Sequence, residues 1–139
     1  MRAGFLDEWR IEVRRTDTSV LGFERDSQMS GRHLSLLVHF VWSTAAREPW
    51  ISNEWQDRLY GYLGGILERK NAKLLCAGGM SDHIHLYTSL PSTLSLADIV
   101  NAMKANSSGW IHDTFPNHQA FAWQKGYGAF SVSSLLSLK

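Results

Sequence analysis

Apolar and polar residues alternate along residues 33–44, and this pattern predicts a β-strand. One face of the strand carries only large apolar side chains, namely Leu34, Leu36, Val38, Phe40 and Trp42. The other face mixes polar with apolar residues and includes His39 and Val41. Because the middle of the strand is apolar on both faces, we expect it to be a central strand of a sheet.

Two later segments repeat apolar residues at helical spacing. Over residues 54–70 the repeat forms one wide stripe, made of Trp55, Leu59, Tyr62, Leu63, Ile66 and Leu67. A stripe of this width predicts a helix that packs one face on a core. A second helix is predicted to begin at Ser95, because Asp98 follows three residues later as a variant of the capping box.

Shorter strands are predicted over residues 73–77, from His83 onward, and within residues 120–133. Gly78 and Gly79 open a segment that is typical of a turn, whereas the glycines of the last strand indicate a bulge or a close backbone approach. The predicted order is strand, helix, strand, strand, helix, strand. This is the split βαβ plan of a ferredoxin-like α+β domain, in which an antiparallel sheet carries two helices on one face.

The pattern divides the chain into three parts. Residues 1–28 show no sustained hydrophobic period of a strand or a helix. The alternation of residues 9–14 fits an edge strand. We nevertheless interpret residues 1–28 as a poorly ordered extension upstream of a natural start at Met29. Residues 29–133 form one domain, and residues 134–139 form a tail.

Composition narrows the class of protein. With 139 residues, 44% hydrophobic residues and six Trp, the chain is expected to form one globular domain. The single cysteine, Cys76, excludes a disulfide framework. No apolar segment approaches the roughly 20 residues that span a bilayer, and no signal peptide is evident, so we expect a cytoplasmic protein with no membrane partner. The net charge of +1 neither requires nor excludes nucleic acid.

His83 and His85 are the strongest candidates for chemistry. Residues two apart on a strand point to the same face, with Cα atoms roughly 6.5 Å apart, so both imidazoles can converge on one ion. Divalent metals with open positions are commonly held by imidazole nitrogens plus an oxygen ligand, and a third ligand would come from elsewhere. A chance His-apolar-His triplet is the competing explanation. For His39, a core histidine and a neighbour of the pair both stay open.

Three motifs, in this order and spacing, carry a family resemblance: residues 37–44, residues 82–86 and residues 123–133. They resemble the HUH single-tyrosine transposases of the insertion-sequence two-hundred type, the TnpA-like enzymes. The resemblance implies a dimeric ferredoxin-like domain that binds hairpins in single-stranded DNA at the ends of a mobile element. It also implies Mg²⁺ or Mn²⁺ at His83 and His85, and a tyrosine that attacks the DNA and forms a 5′-phosphotyrosine bond.

The chain departs from this family in one respect. In the family the nucleophilic tyrosine lies on a helix after the last strand, followed four residues later by a glutamine that completes the metal site. Residues 134–139 contain neither residue, so we expect a truncated copy with defective catalysis. No catalytic residue is secure; Tyr127 is only a fallback nucleophile, and Tyr87 shares a strand face with the histidines.

The sequence is therefore compatible with three functions. The first is a metal-assisted transposase of a small insertion sequence, and the second is a non-catalytic single-stranded DNA-binding or dimerising fragment that modulates a full-length relative. The third, a histidine-triad nucleotide hydrolase, lacks its third histidine because Tyr87 stands in that place. Aromatic and basic residues together suit single strands, which makes four residues candidate DNA contacts: Lys104, Trp123, Gln124 and Lys125. The expected partners are hairpin DNA and a second subunit, identical or full-length.

Overall fold

The computed structural model describes residues 9–12 and 35–132. It contains five strands and two long helices, which are β1 (Trp9–Glu12), β2 (Ser35–Ser43), α1 (Gln56–Arg69), β3 (Lys73–Met80), β4 (His83–Pro91), α2 (Leu96–Thr114) and β5 (Gly128–Ser131). Single turns of 3₁₀ helix follow β2, at Ala45–Arg47, and α2, at Pro116–His118. Neither α1 nor α2 combines the length and the apolar character that a membrane-spanning helix would need.

The five strands form one sheet in the order β1-β3-β4-β2-β5, and every neighbouring pair is antiparallel. Without β1, the order β3-β4-β2-β5 is that of a ferredoxin-like domain, so the predicted fold class is confirmed. Strand β2 lies between β4 and β5, as expected from its apolar middle.

Both helices cover the same face of the sheet. On that face Phe40 lies opposite Leu86, and Trp42 lies opposite Ile84. These side chains are buried with residues of the two helices in one core, to which the helices contribute Leu59, Leu63, Ile66, Leu67, Ile99, Val100 and Met103. Each fully buried large apolar side chain stabilises the fold by roughly 1.5–3 kcal/mol. The alternation of apolar residues thus determines which side of the sheet the helices occupy.

The interpretation of residues 1–28 as a poorly ordered extension needs correction at residues 9–12. These residues form β1 and pair with β3, with Trp9 opposite Gly78 and Glu12 opposite Cys76. The alternative of an edge strand therefore describes them. Pairing there satisfies backbone groups of β3 that an open sheet edge would leave without strand partners. Residues 1–8, 13–34 and 133–139 lie outside the described residues, and with them the tail.

Strand β3 extends further than its sequence predicts. Gly78 and Gly79 belong to the strand rather than to a turn, and only Ser81 and Asp82 connect β3 to β4. Gly79 has a φ of 151°, and a Cβ atom placed there would meet the backbone oxygen of His83 and lie 2.8 Å from the Cα of Ile84. Glycine is therefore needed at this position because the two strands approach closely.

Candidate functional site

His83 and His85 lie side by side on the face of the sheet opposite α1 and α2. Their ring centroids are 5.1 Å apart and the rings are nearly perpendicular, at 81°. The side chain of His83 is 16% exposed, and His85 is half-buried. Ile84, between them, points into the core under the helices. Strand periodicity thus brings the two imidazoles together, as the sequence predicts.

A carboxylate orients the first imidazole. Nδ1 of His83 donates a hydrogen bond to Oδ1 of Asp82 at 2.9 Å, and Nε of Arg47 donates to Oδ2 at 3.1 Å. The hydrogen bond from His83, followed by the charge of Arg47, holds the pKa of Asp82 below its usual value. Since an ionised carboxylate only accepts, Nδ1 of His83 carries a proton, and in the neutral ring that could bind a metal ion the lone pair is on Nε2.

The second imidazole has a comparable neighbour in His39. Nε2 of His39 is 3.0 Å from Nδ1 of His85, and the ring centroids are 5.2 Å apart. Burial, and then repulsion by His85, lowers the pKa of His39 to about 4, so His39 is neutral at pH 7. When Nδ1 of His85 donates a hydrogen bond to Nε2 of this neutral His39 ring, the lone pair of His85 is on its own Nε2 atom. Of the two roles that the sequence leaves open for His39, the structure supports that of a neighbour.

The residues present fit part of a metal site. Both histidines engage Nδ1 in a hydrogen bond, so a divalent ion would be bound through the two Nε2 atoms, an arrangement common for metal-binding imidazoles. Across residues 9–12 and 35–132, no group of three or more His, Cys, Asp and Glu side chains could hold an ion. Two imidazoles supply two positions, and the remaining ones would be taken by water or by phosphate oxygens.

The turn after β2 is strained and positions Arg47. Ala46 and Arg47 have φ values of 55° and 54°, and each such residue costs about 1–2 kcal/mol when it is not glycine. The turn is held by hydrogen bonds from Thr44 Oγ1 to the backbone oxygen of Glu48, at 2.7 Å, and from the Ala46 amide to Gln124 Oε1, at 3.2 Å. An exposed ion pair stabilises the folded state by at most about 1 kcal/mol. The ion pair of Arg47 with Asp82 therefore does not by itself offset the strain of the two left-handed residues.

Three of the four predicted DNA contacts have side-chain partners within the fold: Gln124 through the Ala46 amide, and Lys104 and Trp123 as follows. Nζ of Lys104 donates to the backbone oxygens of Gln124 and Gly126, at 2.7 and 2.6 Å, and burial lowers its pKa. Nε1 of Trp123 donates to Ser107 Oγ at 2.9 Å, and its ring packs edge-on against Trp42 at 6.0 Å. Both side chains therefore fix the segment before β5, and their contact with DNA stays a prediction.

Gln124 and Lys125 follow directly after Trp123, which pairs with Thr44 at the end of β2. The Gln124 amide donates to the backbone oxygen of Ser43 at 2.9 Å, and Ser43 is the strand partner of His83. With adjacent strands about 4.8 Å apart, the backbone of Gln124 lies roughly 10 Å from that of His83. Both side chains are exposed, so these two residues keep a position suited to DNA.

The tyrosines do not offer a nucleophile at this site. Of the four tyrosines in the sequence, Tyr60 and Tyr62 lie on α1. Tyr127 is 40% exposed and packs on Phe40, at a centroid distance of 6.3 Å, on the helix side of the sheet. Tyr87 shares the face of the histidines but is fully buried with Leu75 and Cys76. None therefore places an exposed hydroxyl beside the imidazoles.

Comparison with known proteins gives two matches. The family model described as "Transposase IS200 like" matches residues 33–139. A crystal structure of a protein assigned as a transposase, from Deinococcus radiodurans R1, superposes with a TM-score of 0.68 at 24% sequence identity, covering 75% of this chain and 84% of that one. At this identity the structural match supports the fold alone. No curated protein sequence matches the chain.

Proposed function

Since this chain belongs to the IS200-like transposase family, we propose that it binds hairpin-bearing single-stranded DNA and that His83 and His85 hold Mg²⁺ or Mn²⁺. One observation carries the proposal: the two imidazoles stand 5.1 Å apart on the sheet face opposite α1 and α2, with the Nδ1 atom of each engaged by a neighbour. Such a pair has the arrangement of metal ligands supported by outer-shell partners.

The residues of this site have distinct roles in the proposal. His83 and His85 hold the ion through Nε2, while Asp82 and His39 orient the two rings. A bound ion would act as a Lewis acid on a phosphate oxygen of the DNA. Gln124 and Lys125 follow the DNA backbone beside the metal site, since both are exposed next to the end of β2.

Strand cleavage needs a nucleophile that this site lacks. In the proposed chemistry a tyrosine hydroxyl gives up its proton and its oxygen bonds to phosphorus, while the bond from phosphorus to the 3′ oxygen breaks. The 3′ oxygen takes up a proton and becomes a free 3′-OH. Because no tyrosine of the sequence presents an exposed hydroxyl at the histidines, we expect cleavage by this polypeptide alone to be weak or absent. This placement favours a second candidate function, in which the chain binds DNA and pairs with a relative that supplies the tyrosine.

The test uses single-stranded oligonucleotides copied from both strands of the DNA that flanks the coding sequence. Fluorescence anisotropy with Mn²⁺, with Mg²⁺ and with EDTA measures the affinity, and denaturing gels detect nicked or protein-bound DNA. We expect hairpin-bearing oligonucleotides to bind more tightly with metal than with EDTA. Replacing both His83→Gln and His85→Gln should remove that difference, whereas the matched control His112→Gln, on α2, should retain it.

One result would overturn the proposed metal site, and another would overturn the expectation of weak cleavage. Affinity that is equal with metal and with EDTA, and unchanged in the double histidine variant, would exclude the metal site. A covalent adduct of DNA with Tyr87 or Tyr127 would overturn the expectation of weak cleavage. Restoration of cleavage by a relative that carries the tyrosine, but not by a variant of that relative that lacks it, would support the second candidate.

A further inference from the structure

We propose that Arg47 has two roles, positioning Asp82 beside His83 and binding a phosphate of single-stranded DNA next to the metal site. The inference rests on the proposed function and adds a residue that the sequence motifs do not contain. Arg47 lies outside the histidine strand, in the 3₁₀ turn that follows β2.

The contacts of Arg47 leave hydrogen-bonding capacity for a ligand. Its guanidinium carries five N–H donors, and within the described part of the chain Asp82 is the only group that accepts from it, through Nε at 3.1 Å. The side chain is 62% exposed. Since Asp82 also accepts from Nδ1 of His83 at 2.9 Å, one carboxylate separates the guanidinium from the candidate metal ligand.

Backbone strain supports a functional position. Ala46 and Arg47 are both left-handed although neither is glycine, and consecutive residues of this kind persist only where the surroundings enforce them. Thr44 and Gln124 enforce them here, through hydrogen bonds to the turn. The turn therefore holds Arg47 at Asp82 against a local conformational preference, although the resulting exposed ion pair adds little stability.

Charge explains why an arginine suits this position. A DNA phosphate next to the histidines would be repelled by the carboxylate of Asp82, and a cation paired with that carboxylate offsets the repulsion. A planar guanidinium can donate to a carboxylate and to a phosphate at the same time, whereas a lysine ammonium acts as a point charge. The geometry thus combines positioning of His83 with recognition of the DNA backbone.

The experiment compares Arg47→Gln and Arg47→Lys with the control Arg69→Gln. Arg69 is exposed at the end of α1, next to the start of β3 and therefore away from the histidines. Affinity for the flanking oligonucleotides is measured over a range of salt concentrations. We expect Arg47→Gln to lower the affinity about tenfold and to reduce the slope of log affinity against log salt by about 0.7, the value for one phosphate contact on a single strand. Arg47→Lys should retain the slope and lose part of the affinity.

A second readout uses Mn²⁺ without DNA. Titration calorimetry should show Mn²⁺ binding at least tenfold weaker in Asp82→Asn, as for the loss of other outer-shell partners, and a smaller loss in Arg47→Gln. If the wild type shows no metal-dependent binding of single strands, the proposed function fails and the role of Arg47 fails with it. If the wild type binds through the histidines but Arg47→Gln behaves like Arg69→Gln, only the inference about Arg47 is overturned.

Discussion

Replacement of Gly79 by alanine tests the geometry of the hairpin that carries His83. The backbone at Gly79 has a φ of 151°, a conformation that costs an L-residue about 1–3 kcal/mol. The added Cβ would also meet the His83 backbone oxygen and lie 2.8 Å from the Cα of Ile84. Because these atoms belong to the backbone, they cannot rotate away, and overpacking of this kind costs a further 1–3 kcal/mol or so. We expect Gly79→Ala to lower the free energy of unfolding by about 2–6 kcal/mol.

The matched control is Gly61→Ala on α1. A Cβ at Gly61 has no atom within 4 Å, and alanine in a helix is favoured over glycine by about 0.5–1 kcal/mol. Urea unfolding, followed by tryptophan fluorescence, should therefore place the midpoint of Gly79→Ala below that of the wild type and the midpoint of Gly61→Ala at or above it. A Gly79→Ala protein as stable as the wild type would refute the close approach of β3 and β4 at this point.

Two further predictions concern charged groups. Since His39 has a folded pKa of about 4, below the ordinary value near 6.5, its contribution to stability is complete above pH 6.5 and is lost as the pH falls towards 4. After allowance for its partial exposure, the wild type should lose about 1 kcal/mol more than His39→Gln between pH 7 and pH 5 in urea unfolding; parallel losses would contradict the shift. Lys104→Met removes the two bonds to the backbone oxygens of Gln124 and Gly126, so it should destabilise the protein by about 1–2 kcal/mol and change DNA affinity less than Lys125→Gln does. A larger loss of DNA affinity in Lys104→Met than in Lys125→Gln, measured by fluorescence anisotropy, would support Lys104 as a DNA contact.

The fold could be predicted because its signals are local and periodic. The alternation that buries Phe40 and Trp42 also places Ile84 under the helices, and the helical stripe of α1 packs on the same face. The position of Gly79 within a strand was harder to predict from the sequence, because a glycine pair is typical of a turn and equally of two strands that approach closely. The alternation of residues 9–12 was visible, but only the paired strand shows that β3 has a neighbour there.

Of the candidate site, only the two histidines of β4 could be predicted from the sequence. His83 and His85 follow from the period of a strand, and the structure brings them together. The contact of His39 with His85 depends on a diagonal relation between β2 and β4 that spacing along the chain does not contain. Arg47 gives no sequence signal, since its position depends on the left-handed turn. Lys104 was predicted to contact DNA because basic and aromatic residues together suit single strands, and that contact stays a prediction. Its bonds to backbone oxygens 20 and 22 residues away depend on the fold and could not be seen in the sequence.

The alternation of β4 has a consequence for how this molecule can change over evolutionary time. Ile84 and Leu86 belong to the core beneath the helices, whereas His83 and His85 face the opposite direction. A substitution in the core can therefore reach the imidazoles only by moving the strand backbone. Exchange of one apolar side chain for another under the helices is therefore compatible with an unchanged histidine face.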